Sequence, residues 1–413
     1  MPSHPPSAPD LAARIIDAET GTTALHQAAE EGTLQNLCGV TAALLASVKD
    51  NYGRTPLHHA AGHGHLDQIP GVTAAFLATV KNDDGETPLH KAAFYGHLDQ
   101  IPDLTAKLLS IVKDNFGWTP LDTAAEQGQL QHIPGLTAKL LARIKGPTKS
   151  TALHIAAQHG HLDQIPGVTA SFLAEVKDHD DWTPLHLAAK FNHLAQIPGI
   201  TAKLLTTVKD SSGQTPLHHA ANNGNLQQIP GLTAELLLDV KDNDGWSPLH
   251  NAAYYNHLAQ IPGISVKLLA TVKNSCSETA LHVAAYCGFL AQIPGLTAEL
   301  LATDKNNCGQ TPLHIAANNG FLAQLGNLTL AQVTALNIRD DALAIENISA
   351  LTEDFRRNGT HYNNCHTIKT ALLDAANQLP HLEPANRTAV KAALCAAQEG
   401  GFVLPPETLA HLL

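Results

Sequence analysis

Residues 53–84 read GRTPLHHAAGHGHLDQIPGVTAAFLATVKNDD, and close variants of this stretch recur along most of the chain. A Thr or Ser followed by Pro or Ala and then Leu returns every 32 residues. We number the repeats one to ten by the first residue of this motif, which is Thr23, Thr55, Thr87, Thr119, Thr151, Thr183, Thr215, Ser247, Thr279 and Thr311. A fixed period of about 20–50 residues is typical of a solenoid, in which each repeat packs only against its neighbours. The sequence therefore predicts a repeat array over residues 21–338.

Each repeat carries signals for two helices. Thr55 can cap a helix whose first residue is Pro56, where the missing N–H costs nothing. A second Ser or Thr follows 18 positions after the first in all ten repeats and precedes an apolar run, which predicts a second helix. Lys81 and its equivalents end that run, where positive charge favours a helix C-terminus. The next residues, Asp or Asn-x-x-Gly, predict a turn, which we call the finger (residues 50–54 and their equivalents).

A proline interrupts the second half of eight repeats. It stands at Pro70, Pro102, Pro134, Pro166, Pro198, Pro230, Pro262 and Pro294. Proline inside a helix breaks it. We therefore expect a one-turn segment over GHLxQ, a break at Ile-Pro-Gly and a second helix of about two turns.

The TPLH and GHL motifs, in the order helix, loop, helix and finger, resemble the ankyrin repeat family over about three quarters of the chain. The 32-residue period and the prolines depart from that family, whose repeats usually have about 33 residues. The resemblance implies an all-α solenoid of ankyrin-type helix-loop-helix repeats. It also implies that the His of TPLH hydrogen-bonds the finger and the adjacent repeat. Nine repeats have this His, and repeat four has Asp122 instead.

The segments outside the array are predicted from weaker patterns. Residues 1–8 are expected to be a disordered leader, and residues 9–20 an N-terminal capping half-repeat, because PDLAARIIDA aligns with PGLTAELLAT. Residues 339–413 are expected to form a helical C-terminal capping segment. Its helical patterns lie at about 341–358, 366–379, 385–399 and 406–413.

Composition narrows the classes of partner. Lys and Arg number 25 against 37 Asp and Glu, and the net charge of -12 disfavours nucleic acid. No apolar stretch has the length of a membrane span, and MPSHPPSAPD lacks the pattern of a secretory signal. The six cysteines lack the paired spacing of metal ligands. We expect a cytoplasmic monomer that binds neither nucleic acid nor membranes.

The residues that could carry chemistry are mostly explained by the repeat. We find no HExxH, GxSxG, GxGxxG, Walker loop or CxxC motif. His361, Cys365 and His366 form a cluster of metal-ligand types outside the repeats, but their spacing matches no closed zinc site. We therefore predict no catalytic, cofactor or metal site, and no enzyme activity.

The rare aromatic residues concentrate in the fingers and at the variable end of the first helices. We predict a protein-binding face from eleven of them, Tyr52, Phe94, Tyr95, Phe116, Trp118, Trp182, Phe191, Trp246, Tyr254, Tyr255 and Tyr286. Large aromatic residues dominate interface energetics. The alternative is that each one packs over a neighbouring finger as local structure.

Acidic residues surround the same fingers and predict the chemistry of a partner. They are Asp83, Asp84, Glu86, Asp178, Asp180, Asp181, Asp242 and Asp244. Their negative charge would steer a protein with a basic or mixed apolar-basic surface.

Three functions are compatible with the sequence. The leading hypothesis is a non-enzymatic protein-protein interaction scaffold that binds its partner on the concave face of fingers and first helices. A second rests on the near-identical, proline-bearing repeats, which resemble those of bacterial ankyrin proteins, some of which are effectors delivered into host cells to bind host proteins. In the third, the C-terminal helical segment carries a ligand or catalytic site.

Overall fold

The computed structural model describes residues 7–131, 133–146, 149–319, 384–399 and 401. The chain divides into two compact parts, residues 1–211 with repeats one to six and residues 212–413 with repeats seven to ten. Within each part the first helices of successive repeats pack side by side. This arrangement confirms the predicted all-α repeat solenoid. The expected helices at 341–358, 366–379 and 406–413 lie outside the described residues.

The first helix of each repeat begins where the sequence predicts. In repeat two, Thr55 has extended backbone angles, Pro56 is the first helical residue, and Gly64 ends the helix with a φ of 75°, which favours glycine. Leu57 and Ala61 are fully buried against neighbouring repeats. The first helices span Ala24–Glu30, Pro56–His63, Pro88–Tyr95, Pro120–Gln127, Ala152–His159, Pro184–Lys190, Pro216–Asn222, Pro248–Tyr254, Ala280–Cys287 and Pro312–Asn318.

The GHLxQ segment forms a single turn, as predicted. The turn is a 3-10 helix that buries its leucine, such as Leu66 in repeat two, and the chain leaves it at Ile69 before the proline. These turns span Leu34–Asn36, Leu66–Gln68, Leu98–Gln100, Leu162–Gln164, Leu194–Gln196, Leu226–Gln228, Leu258–Gln260 and Leu290–Gln292.

The second helix is shorter than predicted. Thr73 caps it by accepting a hydrogen bond from the backbone N–H of Phe76, at 3.2 Å, and the helix ends at Leu77. Val80 then turns into the core, so the chain must leave the helix after one turn. The expectation of about two turns was wrong for the repeats with a four-residue helix, whereas the six-residue helices of repeats one and nine come close to it. The second helices span Ala42–Ser47, Ala74–Leu77, Ala106–Leu109, Ala138–Leu141, Ala170–Leu173, Ala202–Leu205, Val266–Leu269 and Ala298–Thr303, with a 3-10 helix over Ala234–Leu237.

Several of the lysines after the second helices donate a hydrogen bond to the next repeat. The ammonium of Lys81 donates a hydrogen bond of 2.7 Å to the carbonyl of Lys113, and Lys49 donates one of 3.2 Å to the carbonyl of Lys81. Lys241 makes the same contact with Lys273, at 2.7 Å. These hydrogen bonds join neighbouring repeats, and the predicted effect of the positive charge on the helix C-terminus stays a prediction.

The N-terminal segment contacts repeat one but does not have the form of a half-repeat. A helix over Ala8–Ala13 is capped by Ser7, and its first residue, Ala8, is fully buried. A strand, Ile15–Asp17, then pairs antiparallel with Thr22–Thr23. The helix covers residues that align with a Pro-Gly break, and the strand covers residues that align with a second helix. The predicted boundary after residue 8 therefore falls inside a helix.

One helix of the C-terminal segment is described. It spans Pro384–Glu399, over the helical pattern at 385–399, and it buries Leu394 and Ala396. The capping role of this segment stays a prediction. Among the residues that the structure describes, no helix combines the length and apolar character needed to cross a membrane.

Candidate protein-binding face

Most fingers are held in shape by an acidic or amide side chain at their first position. In the finger of repeat four, Oδ1 of Asp114 accepts hydrogen bonds from the backbone N–H groups of Phe116, at 2.9 Å, and Trp118, at 2.8 Å. The backbone N–H of Asn115 donates to the carbonyl of Asp84 in the preceding finger, at 2.9 Å. The aromatic residues therefore stand on a rigid loop that is tied to its neighbour.

The His of TPLH links each repeat to the next finger. Nδ1 of His90 accepts a hydrogen bond of 3.0 Å from the backbone N–H of Thr87, so Nε2 carries the ring proton. Nε2 then donates a hydrogen bond of 3.2 Å to the carbonyl of Trp118. His154 and His218 make the same contact with the carbonyls of Trp182 and Trp246, both at 3.0 Å. The role implied by the family resemblance is thereby confirmed, and it fixes the backbone of all three tryptophans.

These imidazoles are neutral because they are buried. Burial lowers the pKa of His58 to about 4, and the hydrogen bond to the carbonyl of Glu86 opposes that shift only in part. Burial also lowers the pKa of His26, His90, His154, His250 and His282. The histidines of this motif are therefore structural hydrogen-bonding groups at neutral pH.

Nine of the eleven predicted binding residues are exposed. Their exposure runs from 38% for Trp118 to 67% for Phe116. The other seven are Tyr52, Phe94, Tyr95, Phe191, Tyr254, Tyr255 and Tyr286. Trp182 and Trp246 are half-buried. Large apolar side chains are thus presented to solvent along the fingers and the ends of the first helices.

The two half-buried tryptophans pack on their own repeats. The ring of Trp182 lies 5.9 Å from that of His186, and the ring of Trp246 lies 5.7 Å from that of His250. Repeat four has a carboxylate in place of the imidazole, and Trp118 is the most exposed of the three. Trp182 and Trp246 therefore pack within their own repeat, and the alternative that each aromatic residue packs over a neighbouring finger stays a prediction.

In the C-terminal part, a cleft of about 330 Å³ brings aromatic and acidic side chains together. Tyr254 lies 6.3 Å from Trp246 and 5.0 Å from Tyr255, measured between ring centroids. The carboxylates of Asp242 and Asp244 line the same cleft. Rings beside carboxylates can bind a cationic group through both its charge and its flat or apolar surface.

The remaining aromatic residues are spread over several repeats, and some of them already contact a cation or another ring. The guanidinium of Arg54 lies 4.8 Å from the ring centroid of Tyr52. Phe94 and Tyr95 lie 4.9 Å apart. The ammonium of Lys190 lies 5.4 Å from the ring centroid of Phe191. The predicted residues therefore form a series of small contact points rather than one pocket.

The acidic residues of the fingers fall into two groups. Asp83, Asp84, Asp180, Asp181 and Asp244 are exposed and can act on a partner. Glu86, Asp178 and Asp242 are half-buried and are used within the protein. Asp178 and Asp242 accept finger N–H groups, and Glu86 pairs with Lys91 at 2.7 Å. Sequence reasoning missed this division, which the recurring Asp or Asn at the first finger position could have indicated.

The candidate metal ligands His361, Cys365 and His366 lie outside the described residues. The predicted absence of catalytic, cofactor and metal sites stays a prediction. The described cysteines, Cys38, Cys276, Cys287, Cys308 and Cys395, are free thiols.

Comparison with known proteins identifies the repeat. A family model described as ankyrin repeats (3 copies) matches residues 7–70, 72–144, 135–198 and 195–262. A search of the curated proteins finds no significant match. The matched residues cover more than half of the chain, and its helices, fingers and buried histidines follow the repeat throughout the described part of the array. The protein therefore belongs to the ankyrin repeat family.

Proposed function

We propose that this protein is a non-enzymatic scaffold that binds a protein partner through the face formed by its fingers and first helices. Ankyrin repeats are generally modules of protein-protein interaction and are generally non-catalytic. The observation that carries the proposal is the exposure of nine large aromatic side chains on that face. Such residues supply most of the binding energy in many interfaces.

The charge of the same face favours a partner with a basic or mixed apolar-basic surface. Five exposed aspartates stand in the fingers, and the whole chain carries a net charge of -12. Complementary charges raise the rate of association and disfavour acidic competitors. Ion pairs at an exposed face weaken with salt, because the screening length falls to about 8 Å at physiological ionic strength.

Affinity capture with two matched variants tests the proposal. The face variant carries Tyr95→Ser, Phe116→Ser and Tyr255→Ser. The control carries Ile111→Ser, at a residue that is 66% exposed but follows a second helix instead of standing in a finger. Circular dichroism first establishes that both are folded.

We expect a partner that the intact chain and the control retain and that the face variant loses. Retention by all three proteins, or equal loss from the control, would contradict the proposal. The cytoplasmic monomer and the alternative of delivery into a host cell stay predictions. Sedimentation of the purified chain tests whether it is a monomer. The location of a tagged copy during infection distinguishes a cytoplasmic protein from one that is delivered into a host cell.

A further inference from the structure

Three side chains at the junction of repeats four and five are smaller than their equivalents. Asp122 stands where the other nine repeats have His. Gly146 begins a finger, where the fingers of the other repeats from two to ten begin with Asp or Asn. Ser150 ends that finger, at the position that holds Trp in repeats four, six and eight. All three changes remove volume from the same place.

The structure shows an open cleft of about 280 Å³ at this junction. Trp118, Asp122, Glu126, Gly146, Ser150 and Ile155 are among the residues that line it. One repeat earlier, the imidazole of His90 occupies the corresponding place and reaches the carbonyl of Trp118, at 3.2 Å. Asp122 is shorter, and its Oδ2 accepts from the backbone N–H and the hydroxyl of Thr119, at 2.9 and 2.8 Å. It forms no hydrogen bond to repeat five within the described residues.

The missing imidazole also changes the surroundings of Trp118. Trp182 and Trp246 have an imidazole of their own repeat within 6 Å of their rings, at 5.9 and 5.7 Å. Trp118 has the small Asp122 carboxylate at that position, and 38% of its surface is exposed. Trp118 is itself among the residues that line the cleft.

The cleft is also acidic. Asp122 is only 3% exposed, and burial raises the pKa of its carboxyl. The two hydrogen bonds from Thr119 and, after them, the charge of Lys113 favour its ionised form, and Asp114 opposes it. Neither Asp122 nor Glu126 forms an ion pair within the part of the chain that the structure describes. A cation placed in the cleft would stabilise the ionised form of these carboxylates.

We propose that this cleft receives an arginine side chain of the protein partner. Its guanidinium would lie against the indole of Trp118 and donate N–H groups to the carboxylates of Asp122 and Glu126. A guanidinium suits the site better than an ammonium because it is planar, is weakly hydrated and offers a fork of donors. The volume is below the range of about 300–1,000 Å³ for sites that enclose a whole small molecule. It therefore fits a single inserted side chain.

This inference rests on the proposed function, because the partner supplies the arginine, but it can be tested without the partner. The probe is Nα-acetyl-arginine methylamide, with Nα-acetyl-lysine methylamide as its matched comparison. Titrations of the full chain would follow the three indole N–H signals by NMR, each assigned with a Trp→Phe variant. The signals of Trp182 and Trp246 serve as the internal control.

We expect the Trp118 signal to shift and saturate with the arginine compound, and the lysine compound to bind roughly tenfold more weakly. Asp122→His fills the cleft as in the other repeats and should abolish the shift. Asp122→Asn keeps the shape, removes the charge and should weaken binding roughly tenfold. It also keeps the test valid if Asp122→His does not fold.

The proposal is overturned if the Trp118 signal does not respond, if the lysine compound binds equally well, or if both Asp122 variants bind like the wild type. If the arginine compound does not bind, but the intact chain captures a partner that the face variant loses, the proposed function stands without this cleft. If no partner is captured, but the Trp118 signal shifts and saturates with the arginine compound, the proposed function fails and the cleft remains an arginine-binding site.

Discussion

Replacing His58 with Gln should remove a defined part of the acid sensitivity of this fold. The imidazole accepts a hydrogen bond from the backbone N–H of Thr55 and donates one to the carbonyl of Glu86, both at 3.1 Å. Protonation would direct a second ring N–H at the N–H of Thr55. Together with burial, which lowers its pKa to about 4, this makes the folded protein bind the proton more weakly than the unfolded chain.

The sign and size of the effect follow from that difference. As the pH falls below about 6.5, the unfolded imidazole takes up a proton while the folded one stays neutral. The stability that His58 contributes is therefore complete above that pH and decreases down to the folded pKa of about 4. Between about pH 7.5 and pH 5 the loss amounts to roughly 2 kcal/mol.

Urea unfolding followed by circular dichroism measures this loss. The free energy of unfolding of His58→Gln should be the lower one at about pH 7.5, and the gap to the wild type should shrink by roughly 2 kcal/mol at about pH 5. His63→Gln changes an exposed histidine of the same helix and serves as the control, because it keeps His58. The reasoning is refuted if the gap between His58→Gln and the wild type is the same at both pH values.

Three further predictions follow from the packing and charge of the repeats. Asp181→Gly should raise the free energy of unfolding by up to about 1 kcal/mol, because Asp181 has a φ of 61°, where most fingers have glycine. The exposed ion pair of Asp181 with Lys177 contributes little, so its loss should not mask this gain. If the variant is no more stable in urea than the wild type, the argument from backbone strain is contradicted. Leu89→Ala should lower the free energy of unfolding by about 2–5 kcal/mol, since the side chain is fully buried; a loss below 1 kcal/mol would mean that the site collapses around the gap. The affinity for the captured partner should fall as salt rises, and a salt-independent affinity in calorimetry would show that the exposed finger aspartates do not face it.

Much of the local structure could be predicted from short stretches of sequence. Thr55 and Pro56 start a first helix, Gly64 ends it, and Pro70 breaks the chain before the second helix. Each of these signals acts on backbone within a few residues, so it has the same effect in every repeat that carries it. The length of the second helix was wrong because it depends on where Val80 must enter the core, which is a matter of packing between repeats.

The candidate binding face was also predictable from the sequence only in part. The positions of the aromatic residues are visible in the sequence, but their exposure is not, since Trp118 and Trp182 hold equivalent positions and differ in the side chain beside them. The division of the acidic residues into exposed and hydrogen-bonded ones likewise needed coordinates, because it depends on the path of each finger.

By itself, the sequence determined the period, the helix starts and breaks and the family, because these depend on local backbone preferences repeated every 32 residues. Only the tertiary structure decided which side chains of neighbouring repeats lie next to each other. The ammonium of Lys81 reaches the carbonyl of Lys113, 32 residues away, and Asp122, Gly146 and Ser150 open one cleft although 28 residues separate the first from the last. Such contacts depend on the stacking of neighbouring repeats, which places residues about one period apart side by side.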